Sequence, residues 1–268
     1  VSESRALARI PAPPTTLMGL PVCTLAPAKL VDVLVRMGLD RGTYRMAAYL
    51  NAHVCNLAAN DRALRGILAS VDLLYADGMA VVWANRLVNG RAGSRASAAH
   101  FLESFCWAAA GRGLKLAFIG GAKGVAANAA KRLATLVPSL KIVAVEHGYF
   151  DAAGERDLRR RLRTAQPDVI LCGLGSPRQE LVAERLKRAQ IAPLVWCVGA
   201  LFEYFGSGRP RAPRWMRDAG LEWAFRFAQE PARLFTRYTV GNAAFALRVA
   251  REIVSPTPRV APRGRTSH

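Results

Sequence analysis

Several stretches of this chain place reactive side chains where an apolar run breaks into a turn. Asp77 follows Val71-Asp72-Leu73-Leu74-Tyr75-Ala76 and precedes Gly78. A carboxylate at such a strand end can face a ligand crevice and act as a general base on a hydroxyl. The alternative is an aspartate that caps the next helix. Arg91 and Arg95 sit in the basic loop Asn89-Gly90-Arg91-Ala92-Gly93-Ser94-Arg95. They suit a bidentate clamp on phosphate, or simply a solvated loop. Gly120-Gly121-Ala122-Lys123-Gly124 ends another apolar run. Its backbone N–H groups suit a diphosphate, although the spacing is neither a dinucleotide fingerprint nor a P-loop.

The central stretch runs Pro167-Asp168-Val169-Ile170-Leu171-Cys172-Gly173-Leu174-Gly175-Ser176-Pro177-Arg178-Gln179-Glu180. It reads as a buried strand, a tight turn and a helix start, with Ser176 as N-cap and Pro177 as the first helical residue. Arg178 and Gln179 then stand in the first turn, at the edge of the crevice where open α/β sheets collect ligands. Alternatively, Gly173 and Gly175 serve only the turn's geometry.

The elements that must hold these residues alternate. Tyr44–Leu50 reads as a strand, with Asn51 capping a helix to about Leu68. Further strands are expected over 71–76, 114–119, 141–145 and 193–198, with helices between them. A short edge strand is expected over 20–23 and a helix over 27–37. Strands separated by helices over this length imply a mainly parallel, doubly wound (Rossmann-like) α/β sheet with helices on both faces. After Gly206, arginines 209, 211, 214, 217, 226, 233, 237 and 248 are interleaved with Trp215, Trp223, Phe225, Phe227 and Phe235. That pattern predicts two or three basic amphipathic helices. The division is a flexible lead over 1–15, an α/β core over 16–206, a basic helical appendage over 207–254 and a disordered tail over 255–268.

The chain has 268 residues, 51% of them hydrophobic, enough for one sizeable α/β domain with an appendage or for two small domains. Its net charge of +19 calls for an anionic partner: phosphorylated metabolites, an anionic membrane surface or nucleic acid. The five cysteines are scattered and show no zinc-ligand spacing, which suits a reducing cytoplasm. His53, His100, His147 and His268 form no metal pattern. No Gly-x-Ser-x-Gly elbow and no Asp-x-Asp pair is present, so neither metal nor cofactor is expected. The first residues carry no secretory leader pattern, and no run of about 18 apolar residues predicts a membrane span.

Taken in order, the segments from about Met18 to Tyr238 resemble the WecG/TagA/CpsF family of bacterial glycosyltransferases (glycosyltransferase family 26). The resemblance rests on Leu50-Asn51-Ala52-His53, Ala76-Asp77-Gly78, Phe118-Ile119-Gly120-Gly121, the run Gly173 to Glu180 and Val198-Gly199-Ala200. It also rests on Arg211-Ala212-Pro213-Arg214-Trp215, Leu221-Glu222-Trp223 and Glu230-Pro231-Ala232-Arg233. It implies inverting transfer from a UDP-sugar donor to a polyprenyl-diphosphate-linked sugar, at the cytoplasmic face of the plasma membrane, in cell-surface polysaccharide synthesis. By that resemblance Asp77 is the base, with Arg95 and Gln179 as its catalytic companions. The donor lies in a crevice of Tyr49, Asn51, Gly120, Gly121, Gly175 and Arg178. Arg211, Arg214 and Arg233 meet the acceptor diphosphate and the membrane.

Two departures stand out. Relatives often carry Thr-x-Asn where this chain has Tyr49-Leu50-Asn51, and Arg-x-x-Gly-x-Asp where it has Arg95-Ala96-Ser97-Ala98-Ala99-His100. They leave the donor sugar open, since N-acetylmannosamine, its uronic acid and glucose all occur among relatives. Two other classes remain: a basic nucleic-acid-binding α/β protein, and a nucleotide-sugar-binding domain without catalysis. Asp77, Arg95 and Gln179 argue against the second. The first lacks any recognisable nucleic-acid motif, so no nucleic-acid partner is expected.

Overall fold

The computed structural model describes residues 14–91, 93–208, 212–213, 215–216, 222–229 and 231–258. Strands β1 (Thr15–Leu17) and β2 (Leu20–Val22) form an antiparallel hairpin. Cys23 then bridges to Tyr75, which carries the hairpin onto the edge of the main sheet. That sheet holds β3 (Arg45–Leu50), β4 (Leu73–Ala76), β5 (Lys115–Gly120), β6 (Lys141–Glu146), β7 (Val169–Gly173) and β8 (Leu194–Cys197). Its order is β4-β3-β8-β7-β5-β6 and all its pairings are parallel. The expected doubly wound α/β sheet is therefore present.

Alternation along the strands divides the core into two layers. Met46, Ala48, Leu50, Ile170, Cys172, Val195 and Cys197 face one cluster. It is covered by α2 (Ala52–Asn60), α3 (Arg62–Ser70), α4 (Met79–Asn89), α7 (Ala152–Ala165) and α8 (Arg178–Arg188). Ala47, Val169, Leu171, Leu194 and Trp196 face the other. There the cover is α1 (Pro27–Leu39), α5 (Ala98–Gly111), α6 (Val125–Leu136) and the short α9 (Leu201–Gly206). β7 and β8 are buried on both faces, which is why they read as unbroken apolar runs.

Two local expectations are corrected. The helix expected from Asn51 to Leu68 is two helices. Asp61 ends α2 and its carboxylate accepts from Ala63 N and Leu64 N at 2.8 and 3.0 Å, so the chain restarts as α3. Ser176 is not the N-cap of α8. That position is taken by Pro177 without a side-chain cap, and the Ser176 hydroxyl is spent on Glu180, at 2.7 Å from Oε1.

Beyond the sheet lie α10 (Glu222–Gln229), α11 (Pro231–Tyr238) and α12 (Val240–Val254). α12 packs on the core. Phe245 and Val249 join the first apolar cluster, Asn56 Nδ2 donates to Gly241 O at 2.7 Å and Arg248 Nε donates to Asn56 Oδ1 at 3.1 Å. The buried Glu252 accepts from Met18 N at 3.2 Å and from the Thr257 hydroxyl. No described helix is long and apolar enough to cross a membrane.

Candidate active site

The carboxyl ends of the strands bring most of the expected residues to one edge. Asp77 continues β4 by one residue, its N–H donating to Leu50 O at 2.9 Å. Gly78, at φ +95°, is the N-cap of α4 and supplies no side chain. Asp77 is half-buried and stands at the strand end, one residue before that N-cap. The basic loop returns to the same place. Ser94 N donates to Thr24 O at 3.1 Å and Ala96 N to Ala76 O at 3.0 Å, so the loop backbone at Arg95 is tied to the end of β4. Arg95 Nη2 meets His100 Nδ1 at 3.1 Å. A guanidinium only donates, so Nδ1 is the acceptor and the ring proton sits on Nε2. The histidine that departs from the family pattern therefore holds the arginine. Arg91 lies exposed.

Gln179 is the hub of the adjoining strand ends. It is fully buried, and its two amide N–H groups are shared among Glu180 Oε1 at 2.8 Å, Ser176 Oγ at 3.2 Å and the Tyr49 hydroxyl at 3.3 Å. Its Oε1 accepts from Gly199 N at 2.9 Å. One side chain thereby ties β3, the turn after β7 and the turn after β8. Gly199 must be glycine here, because a Cβ would stand 2.6 Å from the Tyr49 hydroxyl. Burial pushes the Tyr49 phenol above its ordinary range, and the negative charges of Glu180 and Asp77 push further in the same direction. Tyr49 therefore stays protonated and keeps a donor. Burial likewise raises the Glu180 carboxyl, whose Oε2 has no hydrogen-bond partner.

The phosphate-type turn is tightly built. A Cβ on Gly120 would lie 2.2 Å from Gly173 O, so the ends of β5 and β7 touch through glycine alone. Chain leaving β5 runs outward to β6 and chain leaving β7 runs inward to β8, which makes this contact the switch point of the sheet. Gly121 adjoins Glu203, whose carboxylate is 3.7 Å from where a Gly121 Cβ would stand. Gly175, at φ +75°, borders open space. Asn51 does as expected: its Oδ1 caps α2 by accepting from Val54 N at 3.0 Å. Arg178 is engaged sideways. Its Nη2 donates to Phe150 O at 2.8 Å and its guanidinium lies 4.8 Å from the Phe150 ring centre.

Arg211 and Arg214 lie outside the described residues, and Arg233 falls on α11 with its side chain outside them. Among the described residues no group of three or more His, Cys, Asp or Glu is placed to hold a metal ion. Sequence reasoning missed the parts played by Ser176 and Glu180. Their spacing, one helical turn apart, was a usable signal.

A parallel sheet with a glycine-only switch point, and Asp77 and the Arg95 loop at the strand ends beyond it, has the architecture of α/β proteins that take ligands at their strand tips. Comparison with known proteins makes this specific. Residues 15–259 match the model of the Glycosyl transferase WecG/TagA/CpsF family, and the chain belongs to that family. It is a glycosyltransferase. A relative from Bacillus subtilis (strain 168), an N-acetylglucosaminyldiphosphoundecaprenol N-acetyl-beta-D-mannosaminyltransferase, is 25% identical over 219 residues. The match covers 81% of this chain and 84% of that protein.

Proposed function

We propose that this chain transfers a sugar, with inversion, from a UDP-sugar to a polyprenyl-diphosphate-linked sugar on the inner face of the bacterial plasma membrane. The relative from Bacillus subtilis, whose name states a lipid-diphosphate acceptor, supports the acceptor class. The single observation that carries the chemistry is the Ala96–Ala76 backbone hydrogen bond of 3.0 Å, which ties the Arg95 loop to the strand end that carries Asp77. Asp77 takes the proton of the acceptor hydroxyl as its oxygen bonds to the sugar's anomeric carbon. The bond from that carbon to the departing UDP breaks on the opposite face, which inverts the centre. Arg95 and the N–H groups of the Gly120–Gly121 turn offset the charge that develops on the diphosphate. Gln179, having no surface, acts by positioning Tyr49 and the Gly199 turn.

The exposed Trp215 and Phe235 support a surface that meets the membrane, as do Val240, Leu247 and Val254 on α12. Arg211, Arg214 and Arg233 then neutralise the acceptor diphosphate. In this reading the +19 charge serves lipid phosphate and not nucleic acid. The test is to incubate the protein with a panel of UDP-sugars and a synthetic lipid-diphosphate sugar. Formation of an inverted disaccharide product, unaffected by a chelator, supports the reading. Hydrolysis alone, or no product with any donor in the panel, refutes it.

A further inference from the structure

Helix α4 carries its side chains against the usual order. Asn85 is fully buried, whereas Trp83 and Leu87 are 60% and 67% exposed. A lone exposed leucine is ordinary, but a buried amide on a helix that exposes a tryptophan and a leucine calls for a reason. The exposed Arg86 lies between the two apolar residues on the same face, and the exposed Arg91 follows the helix. We infer that this face is a second lipid-contacting surface, on which Trp83 and Leu87 enter the headgroup region of an anionic bilayer and Arg86 meets its phosphates. The inference rests on the reading of the protein as one that acts on a membrane-held acceptor.

The exposure is fixed by the fold. Positions 83 and 87 are one turn apart and share a stripe, with 86 beside them. The inner stripe is locked. Val81, Val82 and Ala84 join the first apolar cluster. The Thr15 hydroxyl donates to Asn85 Oδ1, and Asn89 Nδ2 donates to Thr16 O at 2.9 Å and to Asn85 Oδ1 at 3.1 Å. Turning α4 to hide Trp83 would break these bonds to the β1–β2 hairpin.

Charge selects what covers the face. Among the described residues of α4 and α12 the one carboxylate is Glu252, and it is buried. A second copy docked through a two-fold axis would set Arg86 against its own image, with no carboxylate from these helices between them. Lipid phosphate supplies the missing countercharge. A tryptophan suits that depth, because its ring is apolar and its N–H is polar. The face also continues onto α12. The two helices pack together on one side of the sheet, where Phe245 and Val249 share the apolar cluster with Val81, Val82 and Ala84. Val240 and Leu247 of α12 are exposed there as well.

The position of α4 ties this surface to the site. The helix starts from Gly78, directly after Asp77. At 1.5 Å per residue, Trp83 and Leu87 stand about 8 and 14 Å along the axis from that start. Seating them among headgroups holds the Asp77 end of the sheet near the level of a lipid diphosphate. The surface therefore serves the meeting with the acceptor and leaves the chemical step alone.

The test is flotation of the full chain with phosphatidylcholine vesicles, with and without phosphatidylglycerol. Transfer is measured in parallel to a long-chain lipid-diphosphate sugar in those vesicles and to a short-chain, water-soluble one, circular dichroism confirming the fold of each variant. The double change Trp83→Ala, Leu87→Ala is expected to weaken binding to anionic vesicles roughly tenfold or more. It is expected to raise KM for the vesicle-held acceptor and to leave kcat, and KM for the soluble acceptor, unchanged. Trp83→Phe with Leu87→Met, which keeps the face apolar, is expected to recover most of the loss. Arg86→Ala is expected to cost about fivefold in vesicle binding, and less as salt rises. Trp107→Ala is the control, since Trp107 is exposed on α5, across the sheet. Vesicle binding of the double alanine variant equal to wild type, or reduced equally by Trp107→Ala, overturns the surface and leaves the transferase reading intact. So does a wild-type dimer in the ultracentrifuge that the double change dissociates, because a second copy then covers the face. A wild type that glycosylates the soluble acceptor and binds no anionic vesicle overturns this surface and the membrane reading together.

Discussion

Replacing Gln179 by leucine tests whether the strand ends are held together by one buried amide. The side chains are similar in volume, so the change removes hydrogen bonds with little cavity. Gly199 N–H loses its acceptor at 2.9 Å, and Glu180 Oε1 loses the donor at 2.8 Å while keeping Ser176. An orphaned buried donor costs about 1–3 kcal/mol, and a lost bond to a charged group about 1.5–3 kcal/mol. Together they give about 2.5–6 kcal/mol of destabilisation. For a chain of this size that lowers the melting temperature by about 5–24 °C. Urea denaturation of wild type and Gln179→Leu, with equal m-values, reads the loss directly. Because Tyr49 and the Gly199 turn lose their tie, kcat should fall at temperatures where the variant is folded, while the pH profile of transfer keeps its shape. Stability within about 0.5 kcal/mol of wild type refutes the hub. A destabilised variant that still turns over at the wild-type rate refutes positioning.

Asp77→Asn should lose about 10²–10⁴-fold in kcat and retain UDP binding; turnover near wild type would remove Asp77 as the base. Glu180→Gln addresses the raised carboxyl. A carboxyl whose folded pKa lies above its ordinary 4.5 binds its proton more tightly in the folded state, so wild-type stability falls as pH rises from 4.5 through the folded value. The variant lacks that titration, so its stability relative to wild type should grow from pH 5 to pH 8; a constant difference in urea midpoints would show that burial does not shift this group. Reversing Arg211, Arg214 and Arg233 to glutamate should weaken binding to anionic liposomes by about 3 kcal/mol or more, roughly a hundredfold, in a salt-sensitive way. Unchanged flotation would argue against the membrane role. Ending the chain at 208 is the poorer test, because it also removes Phe245, Val249 and Glu252 from the core.

What the sequence disclosed and what it hid differ by the range of the interactions involved. Apolar runs, helical periodicity and glycine turns are local, and they led to the parallel sheet, to Asp77 at a strand end and to Asn51 as a cap. Strand order is not local. Nothing along the chain says that β8 inserts between β3 and β7, yet that insertion brings Gly199 to Gln179 and Tyr49. The roles of Ser176 and Glu180 were hidden for a related reason. A serine before a proline reads as a cap until a buried carboxylate one turn away competes for its hydroxyl. Arg178 was legible as a first-turn residue but not as a clasp, since Phe150 belongs to a different βα unit. The last helix shows the same limit. Its arginines and apolar residues fit a lipid-facing helix and a helix packed on the core alike, and only the contacts of Phe245, Val249 and Arg248 show which face is spent inward. The exposed Val240, Leu247, Ile253 and Val254 on that helix are thereby left as apolar side chains turned away from the core. The membrane reading therefore rests on them and on the arginines of the preceding segments, and Arg248 serves the core through Asn56.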